Sequence, residues 1–176
     1  NAGIHFVLRV EKEKGFEESD FYYEKGIVER VTNIAGEKTI TLPYFITSET
    51  SGRDRADLPE YRLKMEAAFC FSNYSQSIEY YHNSSWLEHG GSPDKATRSA
   101  FVFAIDKYIK DAGKYKKNES KITFADVEDS LVLVTNCFST EASYANQTKK
   151  AITNQFIASA MTDFFKRSLE VYFAEN

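Results

Sequence analysis

The sequence is poor in the residues from which metal centres, disulfide frameworks and membrane spans are built. Only two cysteines occur, Cys70 and Cys137, and the three histidines, His5, His82 and His89, are scattered. No Cys-x-x-Cys or His-x-x-x-His spacing is present, so no metal site is expected. Both cysteines lie in apolar strand contexts and are read as reduced core thiols rather than as a disulfide. No run of about 18 apolar residues exists, so no membrane-spanning helix is expected. The start, Asn1 to Phe6, has no basic region, apolar run or cleavage site and is not read as a signal peptide. It also lacks an initiator Met, and the chain is read as a piece of something longer. Without a secretory context the Asn-x-Ser/Thr sequons at Asn73, Asn83, Asn118 and Asn146 are coincidental, and a cytoplasmic location is expected. There are no internal repeats and no low-complexity tracts.

Glycine is scarce where phosphate chemistry would need it. Gly90-Gly91 is the only close pair, and neither a Gly-x-Gly phosphate loop nor a Walker sequence nor a Gly-x-Ser-x-Gly elbow occurs. Positive charge is also in deficit, with a formal net charge of −4. That balance argues against a free-standing, non-specific nucleic-acid binder, which needs a dominant basic face, but not against a local basic patch. Lys107, Lys110, Lys114, Lys116, Lys117 and Lys121 form such a candidate patch. Lysines near a helix end are favoured by its dipole, so a solvated face is the simpler reading. Asp126, Glu128 and Asp129 are read as a helix-start cluster rather than a general-acid pair.

What is present is a folded core rich in rings, 14 Phe and 11 Tyr. Ile4, Phe6, Leu8 and Val10 alternate with polar residues and predict a half-buried strand, paired across a turn at 12–15 with a strand at 20–24. Ile27, Val28, Val31 and Ile34 predict a short helix. A strand is predicted over 40–47, followed by a polar loop from Ser48 to Pro59. The longest strand signal is Tyr61 to Phe71, and another strand covers Ile78 to His82. A helix over about 93–112 opens on Pro93 with Ser92 as N-cap and buries Phe101, Phe103, Ala104, Ile105, Tyr108 and Ile109. A short turn at 124–129 leads into the apolar strand Leu131 to Phe138. Asn154 caps a last helix to about 174, with Phe156, Ile157, Ala160, Phe164, Leu169 and Phe173 as its stripe. The pattern predicts an α+β fold, a two-layer α/β sandwich in which two long helices cover one face of a mostly antiparallel sheet.

Between the strand ending at Phe138 and the last helix stands Gln147-Thr148-Lys149. A loop lysine is a compact positive charge on a flexible stem, and a loop glutamine offers an amide donor without net charge. Both suit an anion. Taken alone, the tripeptide reads first as solvated residues ahead of a helix, with Lys150 a solvated neighbour and Thr148 a local cap.

The order strand, polar loop, Gln147-Thr148-Lys149 and amphipathic helix resembles the transducer domain of type IIA DNA topoisomerase ATPase subunits, of gyrase B or topoisomerase IV B type. Other stretches are similar to that family in the same order. They are Asn1 to Ile4 with Phe21 to Ile27, Phe69 to Asn73, Gly90-Gly91-Ser92, Arg98-Ser99-Ala100 and Asp126 to Leu131. The chain departs from the pattern at Ser92-Pro93-Asp94, at Ser130 in place of a turn glycine, in the proline-free loop 141–146 and in the loop 48–60. The resemblance implies that residues 1–24 are the final hairpin of an upstream GHKL-type ATP-binding domain and 25–176 the transducer, with a left-handed crossover. It implies that Lys149 stabilises the γ-phosphate of ATP bound next door and that Gln147 assists. ATP and Mg2+ then belong to the full-length protein and neither to this segment, which has no helix carrying the Glu and Asn of GHKL sites and is expected to be inactive alone. The implied partners are a DNA-cleaving A-type subunit, a second copy of this subunit, and double-stranded DNA passing near Lys107, Lys110, Lys114 and Lys117. The rival readings are a non-enzymatic protein- or nucleic-acid-binding module of the same fold, or the second domain of another GHKL ATPase.

Overall fold

A computed structural model describes residues 2–176; Asn1 lies outside the described residues. The chain opens with a hairpin, β1 (His5–Lys12) against β2 (Gly15–Tyr22), paired antiparallel from His5–Tyr22 to Lys12–Gly15. The expected half-buried face is not buried: Ile4 is 57% exposed and Phe6 58%. Alternation makes the hairpin a strand pair, but its apolar side chains belong to neither buried cluster. Helix α1 (Ile27–Ala35) follows and stops at Gly36, whose φ is 69°.

The body is a five-stranded sheet in the order β3-β4-β8-β5-β6. Its strands are β3 (Tyr44–Gly52), β4 (Tyr61–Phe71), β5 (Ser77–His82), β6 (Ser85–Trp86) and β8 (Leu131–Ser139). All neighbours pair antiparallel except β5 and β8, which are parallel and joined through two helices. Between them come the two-residue strand β7 (Gly90–Gly91), helix α2 (Ser92–Asp111) and the short helix α3 (Phe124–Glu128). After β8 the chain forms the two-residue strand β9 (Ala151–Ile152) and helix α4 (Gln155–Glu175).

Alternation along β4 and β8 decides the layers. Leu63, Met65, Ala67 and Phe69, with Leu131, Leu133 and Cys137, face α2 and α4. Phe101, Ile157, Met161, Phe165 and Leu169 are fully buried in that layer. Each such side chain contributes roughly 1.5–3 kcal/mol by leaving water. Ala68, Cys70, Val132 and Val134 face the other way and receive Val31 and Ala35 of α1. The expected two-helix sandwich is therefore present, with α1 covering a patch of the opposite face. Cys70 and Cys137 are both buried and free, on opposite faces of the sheet, and burial pushes the Cys137 thiol up to about 12.

Other expectations shift, and the strand predicted over 20–24 runs instead over Gly15–Tyr22, starting directly after the turn. The strand predicted over 40–47 starts only at Tyr44 and runs on to Gly52, through the supposed loop. Pro43 has no N–H to give a ladder, whereas Ser48 to Gly52 pair with Tyr61 to Met65 of β4 despite their polar side chains. On α2, Phe103 and Tyr108 are exposed rather than buried, because they lie beside the α4 contact instead of under it.

Candidate functional site

Gln147, Thr148 and Lys149 form the exposed tip of a loop that leaves the end of β8 and returns to α4. Its arms are zipped. The Ala145 N–H donates to the Ala151 carbonyl at 2.9 Å, and the Thr153 N–H to the Ser143 carbonyl at 2.7 Å. Tyr144 forms an antiparallel bridge with Ile152. At the tip the Lys149 N–H reaches the Asn146 carbonyl at 3.2 Å, and Thr148 Oγ1 meets Asn146 Oδ1 at 2.5 Å. The threonine is thus used locally. Lys149 adopts a left-handed backbone, φ 56°, uncommon for a residue with a side chain. Its Nζ stands 5.6 Å from the centroid of the Tyr144 ring, and that ring meets the buried His82 edge-on, 6.3 Å between centroids.

The loop base is fixed against the start of α2. Gly90 and Gly91 pair in parallel with Ala151 and Ile152. A Cβ on Gly91 would stand 2.1 Å from the Ile152 carbonyl oxygen, so the close approach requires glycine, as does its φ of 83°. The space over Gly90-Gly91 that a phosphate would need is filled by Ile152, Asp94 and Tyr80. The His89 N–H donates to the Lys150 carbonyl at 2.9 Å. Lys150, expected to be solvated, instead pairs with Glu88, whose carboxyl it holds below the ordinary range by a side-chain hydrogen bond.

Neither expected helix cap acts as one. Ser92 is the first residue of α2, and its hydroxyl donates to the carbonyls of Asn154, at 2.7 Å, and Ile152, at 3.3 Å. Asn154 stands at the N-cap position of α4, but its side chain turns to the loop. Its Oδ1 accepts from the Ser143 N–H at 2.8 Å, and its Nδ2 donates to Asp54 at 2.7 Å. The group that accepts from the α4 amide of Phe156 is Asp54, at 2.9 Å, and the Tyr61 hydroxyl also donates to Asp54, at 3.1 Å. Burial, followed by the Asp54 charge, pushes the Tyr61 phenol upward. Nothing in the sequence points to Asp54, which sits 100 residues from Asn154.

The lysine patch is less free than its sequence suggests. Lys107 pairs with Glu170 of α4 at 2.9 Å, and Lys110 with Asp106 one turn back. Lys114 and Lys117 carry no ion pair among the described residues. In the acidic cluster, Asp126 accepts from the Thr123 N–H at 2.6 Å, which lowers its pKa.

The tip therefore holds two exposed donors, an amide and an ammonium, on a loop with a fixed base. Known proteins share the chain that carries it. The family model for DNA gyrase B matches residues 24–176. The gyrase B protein of Mycoplasmoides gallisepticum is 25% identical over 181 residues, across 100% of this chain and 28% of its own length. That of Chlamydia muridarum is 27% identical over 178 residues, across 100% of this chain and 22% of its own. The chain thus spans about a quarter of the length of these relatives. Among solved structures, the 43K ATPase domain of Thermus thermophilus gyrase B superposes with a TM-score of 0.75 at 22% identity, covering 99% of this chain and 44% of that one. The topoisomerase IV ATP-binding domain of Francisella tularensis gives 0.68 at 20% identity, covering 97% and 43%. At such identity the superpositions speak for the fold, and with the match over 24–176 this chain belongs to the DNA gyrase B family.

Proposed function

We propose that this chain is the transducer of an ATP-dependent type II topoisomerase subunit and that Gln147 and Lys149 report whether the γ-phosphate of ATP is present. Splitting ATP places charge on oxygens around the β,γ bridge, and catalysis of that step is mostly positioning and charge stabilisation. Lys149 supplies the charge and Gln147 a neutral donor. Both have a partner only while the γ-phosphate is in place, so hydrolysis breaks the link and frees the two domains to move. ATP and Mg2+ are held by an upstream GHKL-type domain in this reading. The uncovered apolar side chains of the β1–β2 hairpin support assigning residues 1–24 to that domain. The A-type subunit, a second copy of this subunit and double-stranded DNA complete the assembly. DNA contact near the α2 end would be phosphate-only, carried more by Lys114 and Lys117 than by the paired Lys107 and Lys110.

The observation that carries the reading is a tip with both donors exposed on a base fixed by Gly91, Ser92 and Asn154. Such a base spares the cost of ordering the loop when phosphate arrives. The test is steady-state ATP hydrolysis by the full-length subunit. Lys149→Ala is expected to lower turnover by roughly 10²- to 10³-fold, as for other preorganised anion donors, with the circular dichroism spectrum unchanged. Parental turnover in Lys149→Ala would reject the sensor.

A further inference from the structure

We propose that Asp54 is a positioning residue for the sensor tip: through Asn154 its carboxylate fixes where the 143–153 loop stands relative to α4. The inference rests on the reading of Lys149 given above. Asp54 lies just beyond the end of β3. Among the described residues it receives three donors and no cation. Oδ1 takes the Phe156 N–H at 2.9 Å, in the first turn of α4, where an anion meets free amides. Oδ2 takes Asn154 Nδ2 at 2.7 Å and the Tyr61 hydroxyl at 3.1 Å. The neighbouring arginines are engaged elsewhere, Arg53 with Glu60 and Arg55 with Asp57.

Asn154 makes the connection to the tip. It is 2% exposed, and its Oδ1 accepts the Ser143 N–H at 2.8 Å on the arm opposite its own. One carboxamide thus bridges the loop arm to the carboxylate that also holds the first turn of α4. Packing locks the same junction. A Cβ on Gly52 would stand 2.3 Å from the Phe156 ring, and Tyr61 meets that ring edge-on with 5.3 Å between centroids. A displacement of the α4 start therefore carries the sensor loop with it. The rival explanation is that Asp54 only caps α4, and it makes different predictions.

The experiment compares the full-length subunit with its Asp54→Asn and Asn154→Ala variants. Asn154→Ala leaves Asp54 on the Phe156 amide, so it serves even where loss of the carboxylate prevents folding. Amide hydrogen exchange is read over 143–153 and over the central strand 63–71, and ATP turnover is read with and without Lys149→Ala in the same chain. The proposal expects exchange about tenfold faster over 143–153 and unchanged over 63–71. Turnover should fall about tenfold, since misplacement on the order of 1 Å costs up to about 10²-fold, and the fall should vanish when Lys149 is already alanine. Unchanged exchange over 143–153, or exchange that rises equally in both segments, overturns the proposal. A fall in turnover that persists without Lys149 also overturns it. If Lys149→Ala alone leaves turnover intact while loop exchange rises, the sensor reading fails and the hold of Asp54 on the loop stands.

Discussion

Two projections leave the body of this molecule, and they are built in opposite ways. The β1–β2 hairpin is held by its own ladder, by cross-strand ion pairs such as Arg9–Glu18 and by a hydrogen bond from the Gly3 N–H to the Tyr23 carbonyl, and it shows Phe6, Leu8, Phe16 and Phe21 to solvent. The 143–153 loop shows polar donors at its tip and is fastened at its base to α2, α4 and the segment after β3. Exposed rings on a hairpin call for a covering surface. Exposed donors on a braced loop call for a small anion. The contrast teaches that exposure alone does not identify a site; what lies beneath the exposed groups does.

The contrast breaks most severely at Gly91. Gly91→Ala places a Cβ 2.1 Å from the Ile152 oxygen at a φ of 83°. It is expected to lower stability by roughly 3 kcal/mol in urea unfolding, overlap and backbone strain combined. Gly113→Ala, with a φ of 63° and open space around it, should cost only about 1 kcal/mol.

Next in size is the pH response of His82. It is fully buried, its Nε2 sits 2.9 Å from Ser139 Oγ, its Nδ1 has no partner among the described residues, and burial lowers its pKa below 6.5. Below pH 6.5 the unfolded chain takes up a proton that the folded one refuses, so this contribution to stability is lost as pH falls from 6.5 toward the folded pKa. Thermal unfolding between pH 7.5 and 5.5 should show a loss on the order of 1 kcal/mol, and His82→Gln should remove that slope.

The hairpin should respond the other way. Phe6→Ser with Phe16→Ser is expected to change stability by less than about 0.5 kcal/mol while reducing binding of a hydrophobic dye. A large loss of stability would mean that the hairpin is packed against the body after all. A comparably small effect is expected at Tyr144, whose ring stands under the Lys149 ammonium. Tyr144→Leu should loosen the tip by about 0.5 kcal/mol, seen as faster amide exchange at Lys149, while Tyr144→Phe should not.

Much of the frame is legible in the sequence because it obeys local periodicity. Tyr61 to Phe71, Leu131 to Phe138 and the two long helices repeat apolar residues at strand or helix spacing. β3 is displaced from its expected range because Ser48 to Gly52 have no apolar alternation; their pairing comes from β4. β6, β7 and β9 are two residues each and exist only through distant partners. The site divides along the same line. The tripeptide is contiguous and can be read, whereas Asp54 joins Asn154 across 100 residues. The lysine patch looks freer in the sequence than it is because Glu170, which pairs with Lys107, comes from another helix. Spacing alone puts Phe103 and Tyr108 in the core, and spacing does not say how wide the α4 contact is.

The central claim is that the tip senses the γ-phosphate, and it is tested most directly by amide exchange at 146–149 in the full-length subunit. The exchange is compared with a non-hydrolysable ATP analogue and with ADP, each at saturation with magnesium. The account predicts that the analogue slows exchange at the tip and ADP does not. Equal exchange in the two states would contradict it.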